Sequence, residues 1–133
     1  MKKDWRSSLF KPPQDQFSLN SLGFPLSQTK GSQMLGICPR TWRRWESIAV
    51  SIPEYKLQQI KLKKIADAAG AIAPIVPYQV WVVGKIGEIF ENLPHGLAKK
   101  WMAQEYINGK KEEFTREAYQ KELTQFLSLA LTA

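Results

Sequence analysis

Histidine and cysteine are almost missing from this chain. One of each, His95 and Cys38, occurs in 133 residues, and that scarcity removes several chemistries at once. A metal centre needs several His, Cys or carboxylate ligands at workable spacing, so neither a metal nor another cofactor is expected. A lone thiol cannot close an internal disulfide, which fits a reducing compartment, and Cys38 is expected as a small packed or half-exposed filler. His95 stands between Pro94 and Gly96 with no serine or cysteine partner implied by spacing, so it reads as a satisfied loop histidine and the chain as a non-enzyme. Long apolar runs are lacking too. The longest, Ala68 to Val83, is too short for a bilayer and carries Pro74 and Pro77. Met1-Lys2-Lys3 is followed by Asp4-Trp5-Arg6 and not by an apolar stretch, so neither a secretory leader nor a membrane partner is expected.

Acids are also short relative to bases. Twelve Asp and Glu face nineteen Lys and Arg, for a net charge of +7, which draws the molecule to polyanions. Five of the twelve carboxylates, Glu105, Glu112, Glu113, Glu117 and Glu122, are interleaved with bases as on exposed helix faces. Hydrophobic residues make up 44% of the chain, enough for one real core at this length.

What is present is concentrated between Gln28 and Ser47, read as a short helix, a turn at Gly36-Ile37-Cys38 and a second helix opened by Pro39. Ser32 is small where two steeply crossing helices come closest, and Leu35 and Ile37 flank the turn as apolar plugs. Gly36 can take the left-handed conformation that ends a helix, and Pro39 suits a first turn, where a missing N–H costs nothing. Each helical residue advances about 100°, so with Arg40 at zero, Arg44 lies near 40°, Ser47 near 340° and Arg43 near 300°, whereas Trp42 and Trp45 lie near 200° and 140°. Burying the indoles therefore sends the guanidinium groups outward together. Such a cluster of rigid donor forks is what phosphates and guanine edges accept.

Gln28 to Ser47 resembles the helix-turn-helix of small phage repressors of the Cro and cI type, with Gln28-Thr29-Lys30 at the start, a small residue at the fifth position and Leu35-Gly36-Ile37 across the turn. The longer run from Phe17 to Gly96 is similar to a family of small phage and prophage regulatory proteins. It carries Thr41-Trp42-Arg43-Arg44-Trp45-Glu46, Ile52-Pro53, Trp81, and Glu88 through Gly96. The resemblance implies a DNA-binding core, a site made of Gln28, Thr29, Lys30, Pro39, Arg40, Thr41, Arg43, Arg44 and Ser47, and action in the cytoplasm of a bacterial host. Two residues depart from the pattern. Gly31 stands where a helix-favouring residue is commoner, at a cost of roughly 1 kcal/mol relative to Ala, and Trp42 replaces the usual Val or Ile and demands a roomier pocket.

Around this core, residues 1–16 read as a basic flexible arm with Trp5, Leu9 and Phe10 as its only anchors, either lying along DNA or unstructured. Phe17 to Phe24 reads as a short first helix, with Leu22 and Phe24 against Met34 and Trp45. Ile48 to Ile52 is an apolar connector that an extended wing would also use. Pro53 opens a helix to Ala69 with Leu57, Ile60, Ile65 and Ala68 on one face. Its Lys56, Lys61, Lys63 and Lys64 either meet phosphates or are simply solvated.

Residues 71–79 read as an extended crossing segment and 80–91 as a β-hairpin, because β-branched and aromatic runs flank Gly84 and Gly87. Leu97 to Ile107 and Lys110 to Leu131 read as a helical pair, the first closed by a left-handed Asn108-Gly109 cap. The broad apolar stripe of the second serves either the core or a dimer surface.

The expected fold is thus mainly α: a helix-turn-helix core over 17–70, then a hairpin and C-terminal helices over 71–133 for support or dimerisation. The expected function is a sequence-specific double-stranded DNA-binding transcriptional regulator, a homodimer on paired half-sites, with helix 39–47 in the major groove. The alternatives are an excisionase-like architectural factor, favoured by a wing at 48–52, and a phage protein binding a host protein through an apolar patch around Trp101, Tyr106 and Phe126.

Overall fold

The computed structural model describes residues 4–10, 26–94 and 98–132, the last three by backbone alone. Among them are α1 (Trp5–Phe10), α2 (Gln28–Leu35), α3 (Pro39–Ala49), α4 (Pro53–Ala68), α5 (Pro77–Asn92), α6 (Lys99–Asn108), a 3₁₀ turn (Lys111–Phe114) and α7 (Arg116–Thr132). The helix expected over 17–24 and His95 lie outside the described residues.

The fold is built around α5. Pro77 opens its first turn, and the Gln79 carboxamide accepts from the Val76 N–H at 2.9 Å, satisfying a donor left free by the helix start. Eleven of its sixteen residues are buried, because α1, α2, α3, α6 and α7 pack around it. The expected β-hairpin over 80–91 is therefore corrected: the whole span is helical. A helix buried on nearly every side carries no amphipathic period, so Val80-Trp81-Val82-Val83 looks the same as a buried strand. Gly84 is not a turn but a notch. A β-carbon there would stand 2.7 Å from Trp5 Cη2, so only glycine lets the α1 indole lie against the α5 backbone.

Trp5, Leu9 and Phe10, expected as anchors of a flexible arm, are instead fully buried on the helix α1. Phe10 stacks on Phe126 at 5.2 Å and on Tyr119 at 6.0 Å. Arg6 donates through its guanidinium to both Glu88 oxygens, at 2.5 and 2.9 Å, and to Glu122 at 2.6 Å. Glu122 also accepts from the Trp81 indole. This clasp fixes α1 to α5 and α7, so Arg6 is not a free cation for DNA.

α2 starts at Ser27, whose hydroxyl accepts from the Lys30 N–H at 3.0 Å. It ends at Gly36, which adopts φ 69°. The Gly36 and Ile37 N–H groups return to the Gln33 and Ser32 carbonyls at 3.1 and 3.0 Å, the paired bonds of a Schellman stop. The two departures from the repressor pattern compensate each other here. A β-carbon at Gly31 would stand 2.7 Å from Ile75 Cδ1 and 3.3 Å from the Trp42 ring, so the missing side chain in α2 leaves room that Ile75 and the Trp42 indole share. Trp42, Trp45, Ile48 and Ala49 make the buried face of α3. Residues 48–52 finish that helix and turn, with Val50 and Ser51 bonded back to Glu46 and Ile48, rather than extending as a wing.

α4 is turned away from the expected face. Leu57, Ile60 and Ile65 are exposed, as is Ala68, while Tyr55 and Ala66 are buried and Leu62 is half-buried. These three recur at i, i+7 and i+11, a second stripe that the same helix offers. The larger aromatic wins: the Tyr55 phenol donates to Glu46, and its ring lies 6.4 Å from Tyr78. Burial first, and the Glu46 carboxylate second, push the Tyr55 hydroxyl well above its ordinary pKa. Of the extended segment expected over 71–79, residues 72–76 lie outside any helix and meet the approach to α2 through reciprocal Leu26 and Ile75 backbone bonds of 2.7 and 2.8 Å, whereas 77–79 are the first turn of α5, which Pro77 opens.

α6 buries Ala103 and Ile107 against α5. Gly109 has φ −84°, so the expected left-handed cap is replaced by a right-handed passage into the 3₁₀ turn. On α7 Tyr119 and Leu123 are buried and Phe126 and Leu127 half-buried, so the middle of its apolar stripe serves the intramolecular core. One buried cluster runs from Trp5 to Leu123, and the segments 17–70 and 71–133 share it.

Candidate nucleic-acid interface

The outer surface of α3 follows from what its inner surface buries. With Trp42 at 0% and Trp45 at 7% exposure, helical geometry leaves Arg40, Arg43, Arg44 and Ser47 facing solvent, and all four are exposed. Ion pairs among the described residues involve Arg6, Lys110 and their acidic partners, and none takes a guanidinium of α3. The acid on this helix, Glu46, is half-buried and engaged by Tyr55, which holds its carboxylate toward α4. Arg44 lies over the Phe90 ring, with Cζ 5.1 Å from the centroid, a cation–π contact that limits its sweep without removing its donors.

The other expected site residues divide. Gln28 and Thr29 are exposed at the amino end of α2, and Pro39 is exposed at the start of α3. Lys30 and Thr41 are half-buried. The Thr41 hydroxyl sits 3.3 Å from the Cys38 sulfur, and its side-chain and backbone hydrogen bonds lower the pKa of that exposed thiol. Ser47 donates its hydroxyl to the Arg44 carbonyl at 2.6 Å, a bond within its own helix. Gln28 also borders an open groove of about 550 Å³ between α4 and residues 71–75, together with Glu46, Gln59, Lys63, Ile72 and Gln79.

Two features of this surface were not expected from the sequence. Phe90 reaches α3 because 77–92 is helical, and two side chains of α6 come to this region: Lys99 Nζ is 6.0 Å from the Phe90 centroid, and the Gln104 amide donates to the hydroxyl of Ser51, just past the end of α3, at 2.8 Å. By contrast, the apolar patch named for a host-protein partner is not assembled. Trp101 and Tyr106 are exposed but project about 140° apart around α6, and Phe126 packs on Phe10.

Among the described residues no group of three or more His, Cys, Asp and Glu is placed to hold a metal ion, and no helix is long and apolar enough to cross a membrane. Comparison of the chain with protein-family models, with curated proteins and with solved structures found no match.

Proposed function

We propose that this chain is a double-stranded DNA-binding transcriptional regulator, with α2, its glycine turn and α3 acting as a helix-turn-helix and α3 entering the major groove. The observation that carries the reading is the exposure of Arg40, Arg43 and Arg44 on one face of α3, opposite two buried indoles and without ion-pair partners among the described residues. Free guanidinium groups on a rigid helix can reach guanine O6 and N7 or phosphate oxygens. Arg40 and Arg43 lie in the amino-terminal half that contacts base edges in such motifs. Gln28 and Thr29 fix the register on the phosphate backbone from the amino end of α2.

In this reading two copies occupy half-sites about 34 Å apart, in the bacterial cytoplasm, and a bound operator excludes polymerase or another regulator. An architectural factor with a wing at 48–52 is disfavoured because that segment is helix and turn.

The test has two parts. Selection from a random duplex pool should return a shared, palindromic sequence. Replacing Arg43 and Arg44 by Ala should then weaken binding to it and flatten the dependence of log K on log salt by roughly 2, at about 0.9 for each phosphate that is no longer neutralised. A titration in which the double variant matches the parent overturns the assignment.

A further inference from the structure

We propose that the amino-terminal part of α6 is a second phosphate-gripping element, with Lys99 and Lys100 contacting the DNA backbone beside the groove that α3 enters. The inference rests on the DNA-binding reading and adds residues to its surface that the helix-turn-helix resemblance does not supply.

Two contacts set the placement. Lys99 Nζ and Arg44 Cζ approach the same Phe90 ring, at 6.0 and 5.1 Å from its centroid, so a cation from the start of α6 shares that ring with one from α3. Five residues on, the Gln104 amide meets Ser51, just past the end of α3. Lys100, one turn before Gln104, shares that residue's face of α6 and so lies on the side that meets Ser51.

Charge makes the juxtaposition informative. Two like charges held on one ring repel each other, and a ring can balance them only partly. Glu46, the acid on α3, is engaged by Tyr55. Arg44 and Lys99 therefore bring cations from two helices to one ring, with exposed Arg40 and Arg43 on the outer face of α3 and exposed Lys100 next to Lys99 on α6. An anion with regularly spaced charges relieves that repulsion, and the phosphate strand flanking the groove occupied by α3 is placed to do so. Lysine suits this role: it is a flexible point charge that contacts phosphate without reading bases.

The full chain and the selected duplex serve as the assay. Lys99→Gln with Lys100→Gln keeps part of each aliphatic stem over the underlying surface, and should weaken binding about tenfold near 0.1 M salt while lowering the salt slope by roughly 2. The base preference from pool selection should be unchanged. Lys100→Glu, at an exposed position, should weaken binding further, and Lys99→Arg with Lys100→Arg should restore the parental slope. If the Gln variant keeps parental affinity and slope while the Arg43 and Arg44 variant loses binding, α6 does not touch DNA and this proposal falls alone. If neither variant differs from the parent, the underlying DNA-binding reading falls with it.

Discussion

α3 and α5 start alike and end differently. Each is opened by a proline in its first turn and each carries tryptophan, yet α3 buries one side and α5 nearly all of its surface. In α3 the angular separation of Arg and Trp already fixes which way the helix faces, because one-sided burial leaves a period in the sequence. In α5 there is no such mark. Its orientation is set by its neighbours, chiefly by which residue is small enough to admit the Trp5 ring.

Four substitutions sharpen or break that contrast. The largest effect is expected at Trp42→Ala on the inner face of α3. Truncating a fully buried indole that fills the space above Gly31 should cost about 3 to 5 kcal/mol, toward the lower end because its Nε1–H is buried without a partner. A urea midpoint that scarcely moves would mean that the arginine face is not held outward as described. Gly84→Ala tests α5. Alanine gains up to about 1 kcal/mol of helix propensity, but its β-carbon overlaps the Trp5 ring, and overpacking of about 1 to 3 kcal/mol should prevail. A raised melting temperature would show that α1 does not dock there.

The smallest effect is expected on the outer face of α4, where Leu57→Gln and Ile65→Gln should each change stability by no more than about 0.5 kcal/mol. Losses of a few kcal/mol at both positions would mean that these side chains are covered.

The parts of the fold legible from sequence are those with local rules. The Ser27 cap, the Gly36 stop and Pro39 at a helix start each satisfy a backbone requirement within a few residues, and the structure places all three as expected. What was not legible depends on partners distant in sequence. Pro77 with Gln79 was a usable sign of a helix start, but the glycines at 84 and 87 argued for a turn, and only Trp5, some eighty residues earlier, explains the first of them. The face of α4 was likewise settled by Glu46 and Tyr78, since the helix offers two stripes. For the candidate site, the arginine cluster could be read from α3 alone, whereas Phe90 and Lys99 required knowing that 77–92 is helical.

The Arg6 clasp has a consequence for synthesis. A residue near the start of the chain completes its bonding with a carboxylate 116 positions later, and Trp5 settles into a notch 79 positions later. Loop-closing entropy must be met before those contacts return anything. On the ribosome, α2 and α3 can begin to associate early, but the groove that receives α1 does not exist until α5 has emerged, and the last bond waits for α7. A nascent chain stalled before Glu122 would keep Arg6 only partly engaged, and such chains should be more open to proteases and chaperones than the finished molecule.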